Sequence, residues 1–114
     1  MNHFFYYKSL IISKLKRDGN SYLVRRMREE GMEIGEETHI FSNISPAEPY
    51  LVKIGRNCTI STEVSFVTHD ASIGLYMGRD QYSDICGRIT IGDNCFIGAR
   101  VMIMYGVNIP DTLL

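Results

Sequence analysis

The sequence predicts a mainly β fold of the solenoid kind, in which short strands and tight turns stack, with a pair of α-helices in front of it. Three observations carry this. Between Ile89 and Asp111 the aliphatic residues Ile91, Ile97, Ile103 and Ile109 fall at every sixth position. Small or β-branched residues follow four places after them, at Cys95, Val101 and Val107, and Gly92 and Gly98 come directly after two of the isoleucines. The same register occurs upstream, at Ile34-Gly35, Ile40, Ile54-Gly55 and Ile60. A period of six is neither that of a helix nor that of a hairpin; it marks a strand and a turn repeated as one unit.

Taken in order, residues 3 to 17 read as a helix. Phe4, Tyr7, Ile11 and Leu15 recur at spacings of three and four, and basic residues gather at the C-terminal end, where the helix dipole favours them. Asp18-Gly19-Asn20 breaks it. Asn20 or Ser21 caps a second helix with Tyr22, Leu23 and Met27 on one face, and Gly31 is a natural stop. Residues 1 to 32 thus form a helical segment, and 33 to 114 the solenoid. The helices are expected to form a lid over the end or flank of the stack. The rival is an aromatic, basic helix resting on a membrane surface.

The six-residue units begin at Ile34 and Ile40, with Ile44 in the small slot, and Pro46 to Tyr50 interrupts them as a loop. They resume at Ile54 and Ile60, with Cys58 and Val64 in the small slots. Phe66 starts a third unit that leaves the pattern at His69-Asp70. Residues 71 to 86 have no period and read as a loop protruding from the coil, after which the clean repeats follow. Each leading aliphatic residue is expected to point to the axis. The turn after it needs a compact residue and often a positive φ, which glycine supplies without strain. Cys58 and Cys95 read as small core residues rather than reactive thiols.

At 114 residues with a net charge of −1, the chain is expected to be one domain, and no basic block points to nucleic acid. Three cysteines without a C-x-x-C spacing argue for a reducing compartment and against a disulfide or zinc framework. The N-terminus carries Lys8 and Lys14, too much charge for a signal peptide or a spanning helix, so a soluble cytoplasmic protein is expected. His3, His39 and His69 share no metal-ligand spacing, and no metal site is expected. Neither a G-x-x-x-x-G-K-[ST] loop nor a G-x-S-x-G elbow is present.

The units follow [LIV]-G-x-x-[small]-x, and over the last two-thirds of the chain this resembles the hexapeptide-repeat acyltransferases. Phe66-Val-Thr-His-Asp70, an irregular loop, and then Ile89-Thr-Ile-Gly-Asp-Asn-Cys-Phe-Ile-Gly-Ala99 look most like the O-acetyltransferases of the galactoside, maltose and capsular-polysaccharide type. The resemblance implies a left-handed parallel β-helix with triangular coils, a hand that the usual right-handed crossover rule would not supply. It also implies a homotrimer with active sites between subunits, acetyl-coenzyme A as the donor, and a sugar or glycan hydroxyl as the acceptor.

His69 is the leading catalytic candidate. It lies where the repeat breaks, and a neutral imidazole is a natural general base near neutral pH. The bland reading is a polar histidine at a turn; the resemblance makes it the base that takes the acceptor's proton. Asp70 is a candidate to orient the imidazole or contact acceptor hydroxyls, though aspartate at a turn is ordinary. Asn43 resembles a position that hydrogen-bonds the acceptor sugar. Ala99 resembles a small position beside the pantetheine arm of the cofactor. Arg100 is a candidate for a cofactor phosphate, against the preferred reading of a solvated turn residue. Family members continue past Ile109-Pro110-Asp111 with further repeats, so the resemblance implies a C-terminally short member whose activity is weak or lost. The alternative is a non-catalytic hexapeptide-repeat module for oligomerisation.

Overall fold

A six-residue unit cannot bury its own leading side chain, so units must stack to make a core. The computed structural model describes residues 21–72, 75 and 85–113. The helix expected over residues 3 to 17 and most of the loop at 71 to 86 lie outside the described residues. What is described is mainly β, with one α-helix, α1 (Ser21–Glu30), and predominantly parallel strands.

The strands are β1 (Glu33–Ile34), β2 (His39–Ile40), β3 (Val52–Ile54), β4 (Thr59–Ile60), β5 (Ser65–Val67), β6 (His69–Asp70), β7 (Ile85–Cys86), β8 (Ile89–Ile91), β9 (Phe96–Ile97), β10 (Met102–Met104) and β11 (Asn108–Ile109). Sheet I has the order β1-β3-β8-β11, sheet II the order β2-β4-β9, and sheet III pairs β5 with β10. From β3 onward the chain visits I, II and III in rotation; between β2 and β3 no strand of sheet III is described. Register follows the period of six: Ile34, Ile54, Ile91 and Ile109 align in sheet I, Ile40, Ile60 and Ile97 in sheet II, and Phe66 with Ile103 in sheet III. All of these are buried except the half-buried Ile109. The period thus becomes three columns of side chains facing one core.

The glycines correct the expectation. Gly35, Gly55 and Gly92 do not take the left-handed turn. Positive φ falls two places later, at Glu37 (65°), Asn57 (56°) and Asn94 (59°), and likewise at Glu63 (59°) and Arg100 (63°). The glycines are required by close approach instead. A Cβ on Gly35 would meet the Gly55 carbonyl carbon and the Arg56 nitrogen at 2.6 Å, and one on Gly55 would meet the Gly92 carbonyl carbon at 2.6 Å. Each Gly N–H donates to the coil above, Gly35 to Ile54 O (2.9 Å), Gly55 to Ile91 O (2.8 Å) and Gly92 to Ile109 O (2.7 Å).

The small slots at Thr38, Ile44, Cys58, Val64 and Cys95 are buried, whereas Val101 and Val107 are exposed, and the buried ones are of two kinds. Between sheets II and III they are apolar, with Ile44 and Val64 buried. Between sheets I and II they are donors: Thr38 Oγ1 donates to Gly55 O (2.7 Å), Cys58 Sγ to Gly92 O (3.0 Å) and Cys95 Sγ to Pro110 O (3.3 Å). A carbonyl left over by the turn and partly shielded from water finds its partner there. All three cysteines are free, with Cys58 and Cys95 buried. Burial pushes the Cys58 thiol up, which keeps it protonated and able to donate.

Helix α1 packs on β1 and β2, at one end of sheets I and II, so the described helix does cover the stack. Its buried face is Val24 and Met27, with Leu23 partly buried; Tyr22, expected on that face, is exposed. Gly31 ends it at φ 118°, with Gly31 N–H donating to Arg28 O and Met32 N–H to Met27 O, both at 3.1 Å. That pair of bonds is a Schellman stop, closed by the buried Met27 and Met32. The Arg28 guanidinium donates to Ile34 O (2.8 and 3.0 Å) and Gly35 O (3.1 Å), carbonyls on the outer side of the edge strand β1. A parallel edge is thereby satisfied by a side chain rather than left open.

Candidate functional site

Regular coils take eighteen residues, as from Ile91 to Ile109. The step from Ile34 to Ile54 takes twenty, and that from Ile54 to Ile91 takes thirty-seven. Both insertions fall on the return from sheet III to sheet I, in adjacent coils. The first is the Pro46 to Leu51 segment, which ends in a 3-10 turn at Pro49–Leu51. The second leaves the stack through β6 and returns through β7 as an antiparallel ribbon, with His69 opposite Cys86 and Asp70 opposite Ile85. Gly87 N–H donates to Thr68 O (2.9 Å) and closes the ribbon's neck.

Two insertions at one corner bring Glu48 onto His69. Glu48 Oε2 lies 3.0 Å from His69 Nδ1 and accepts the Thr68 hydroxyl at 2.5 Å. Glu48 N–H donates back to Thr68 Oγ1 (3.3 Å), and Cys86 Sγ approaches Glu48 Oε1 at 3.9 Å. The Thr68 hydroxyl, then the imidazole, hold the Glu48 carboxyl below the usual carboxylate range. Thr68 is buried; the Glu48 side chain is 19% exposed and the imidazole 36%, so the carboxylate is the more shielded of the two. An ionised Glu48 accepting from Nδ1–H fixes the tautomer with the lone pair on Nε2.

The carboxylate at His69 Nδ1 is that of Glu48, and the hydrogen bonds of Asp70 run elsewhere. Asp70 Oδ1 accepts Ser72 N–H (2.8 Å) and Oδ2 the Tyr105 hydroxyl (3.2 Å). The Ser72 bonds, and then Tyr105, hold the Asp70 carboxyl below its usual range. Burial, followed by the Asp70 contact, pushes the Tyr105 hydroxyl up.

The other candidates lie elsewhere. Asn43 is on the corner between sheets II and III, and its Oδ1 accepts Ser45 N–H (3.0 Å). Arg100 is on that same corner two coils on, and its Nε donates to Glu63 Oε2 at 2.8 Å. Ala99 is exposed beside Gly98, where an added Cβ would meet only Phe96 Cε1 and Val101 Cγ2 at 4.0 Å. A single chain therefore places Asn43 and Arg100 one corner away from His69. A cavity of about 380 Å³ between Gly35, Lys53, Gly55, Arg56 and Asp93 lies on the third corner, away from this chemistry. Among the described residues no three His, Cys, Asp or Glu side chains converge as a cation would require, and no helix is long and apolar enough to cross a membrane.

The repeat pattern does not single out Glu48 or Tyr105. The available signal was the unequal coil length, which puts both insertions on one corner.

Stacked six-residue units define the class, and comparison agrees. The family profile described as hexapeptide repeat of succinyl-transferase matches residues 88–111, the segment from β8 to β11. Residues 88–111 thus carry the hexapeptide repeat of that transferase family. It is 32% identical over 103 residues to Protein CapG of Staphylococcus aureus, a match covering 88% of this chain and 58% of that protein. The chain thus spans less than two-thirds of the length of the curated relative it matches. No solved structure gives a significant match.

Proposed function

We propose that this chain is an O-acetyltransferase of the sugar-modifying type, built on a left-handed parallel β-helix and working in the cytoplasm as a homotrimer. The observation that carries the reading is the His69–Glu48 pair, held by buried Thr68 at the root of the long insertion. Glu48 orients the imidazole and stabilises it when charged. His69 Nε2 takes the proton of an acceptor hydroxyl as the oxygen attacks the thioester carbonyl of acetyl-coenzyme A. The C–S bond breaks, and the departing thiolate recovers the proton from the imidazolium. Direct transfer requires the two substrates held together and no covalent enzyme intermediate.

The open space beside Gly98 and Ala99 suits an extended pantetheine arm. Arg100 meets a phosphate of the donor by exchanging its exposed pair with Glu63, a contact worth little in water. Asn43 and Asp70 contact the acceptor sugar. Asn43 lies a corner away from His69 in one chain, so a neighbouring copy in the trimer brings the two groups together. Exposed Phe96 and Met102, on the outer faces of sheets II and III, supply apolar surface for that contact.

The test is an acetyl-transfer assay with acetyl-coenzyme A and a panel of hexose acceptors. His69→Ala is expected to lose on the order of 10²–10⁴ in rate. Equal turnover in the two proteins removes His69 from the mechanism. Calorimetric binding of acetyl-coenzyme A separates this reading from a non-catalytic module, which has no reason to bind it.

A further inference from the structure

We propose that Tyr105 is a positioning residue for His69, acting through Asp70 and Gly87 at the neck of the β6–β7 ribbon. This rests on the reading of His69 as the general base. The ribbon carries His69 out of the stack on strands of only two residues, too short to define a direction by themselves. Tyr105 belongs to the next coil, in the turn after β10. Its hydroxyl donates to Asp70 Oδ2 at 3.2 Å. Its side chain lies on Gly87, where an added Cβ would come within 3.0 Å of both Tyr105 Cβ and Cδ2. One side chain therefore touches both strands' ends, Asp70 in β6 and Gly87 just past β7.

The residues flanking His69 are both pinned. Thr68 is held by Gly87 N–H and by Glu48; Asp70 is held by Ser72 N–H and Tyr105. Among the described residues, three titratable groups lie around the imidazole: Glu48 from the shorter insertion, Cys86 across the ladder, and Asp70 next in the chain. Tyr105 reaches it through the last of these. A carboxylate beside an imidazole favours the charged ring, and a donor on that carboxylate takes up part of its field. Loss of the Tyr105 hydroxyl therefore leaves more of the Asp70 charge acting on His69. Loss of the Asp70 charge does the reverse. The two variants move His69 in opposite directions, which a merely structural contact does not do.

The experiment uses the full chain with Tyr105→Phe, Asp70→Asn and Gly87→Ala. The His69 imidazole is titrated by NMR, and kcat and KM for acetyl transfer are followed against pH. Tyr105→Phe is expected to raise the His69 pKa and Asp70→Asn to lower it. Tyr105→Phe is expected to lower kcat about tenfold with KM for acetyl-coenzyme A unchanged, the size of loss that follows a small misplacement of a catalytic group. The acid limb of its pH profile moves up. Gly87→Ala, which forces the ring away, reproduces the loss in kcat. An unmoved His69 titration in both Tyr105→Phe and Asp70→Asn, with only Tm lowered, overturns the proposal. If the parent protein transfers no acetyl group, the proposed function falls, and the NMR titration alone decides the role of Tyr105.

Discussion

At Glu48 a single carboxylate collects Thr68, His69 and Cys86, side chains that stand 20, 21 and 38 positions further along the chain. Glu48→Gln keeps the size and removes the charge, so the imidazole loses both its anchor and its counter-charge. Its kcat is expected to fall by about ten- to a hundredfold, less than for His69→Ala. The same residue makes stability depend on pH. A carboxyl lowered in the folded state contributes in full above its unfolded value and loses that contribution as pH falls through the folded one. The difference in Tm between the parent and Glu48→Gln is therefore expected to be largest near neutral pH. It should narrow below the ordinary value of 4.5, as thermal melts across pH will show. His69 was legible in the sequence because the repeat visibly stops there. Glu48 was not, because its meaning depends on a partner in the next coil.

At the scale of one turn, three glycines that look alike in sequence do different things. Gly55 has the coil above packed where its Cβ would be, Gly106 sits at φ 85° with nothing within 4 Å, and Gly98 has only 4.0 Å neighbours and no positive φ. Alanine scanning is expected to rank them in that order. Gly55→Ala costs about 3 kcal/mol or more, because backbone cannot move aside as a side chain can. Gly106→Ala costs about 1 kcal/mol for the left-handed conformation alone, and Gly98→Ala is nearly neutral in urea melts. Equal costs at Gly55 and Gly98 would contradict the close-approach account. The donor slots yield a second comparison. Cys58→Val leaves the Gly92 carbonyl without its partner and is expected to cost about 1–3 kcal/mol, whereas Cys58→Ser keeps a donor and loses less. The period of six announced the columns and the slots, since those depend on which way a side chain faces. It did not distinguish close approach from turn strain, since both select glycine and only the stacked coil separates them.

Across the whole stack, each coil touches only its neighbours, so stability behaves as a one-dimensional sum of coil and interface contributions. Ile60 lies in the middle of its column, with Ile40 on one side and Ile97 on the other, and is fully buried. Ile103 lies in the last described strand of sheet III, with Phe66 on one side. Removing three carbons at Ile60 opens a cavity between two interfaces; removing them at Ile103 opens one at a single interface. Ile60→Ala is expected near the upper end of the ~2–5 kcal/mol range for buried isoleucine, and Ile103→Ala near the lower end. Against a total of about 5–15 kcal/mol for a domain of ordinary stability, the first change approaches global unfolding. Hydrogen exchange separates the two cases by pattern as well as size. Thr59 and Ser61 amides, which donate to Cys95 and Ile97 carbonyls of the next coil, should lose protection throughout in Ile60→Ala. In Ile103→Ala the loss should stay in β10, β5 and the adjoining turns, because an opening at one end of a stack need not propagate through it. Uniform loss of protection in both variants would mean that the coils open as one cooperative unit.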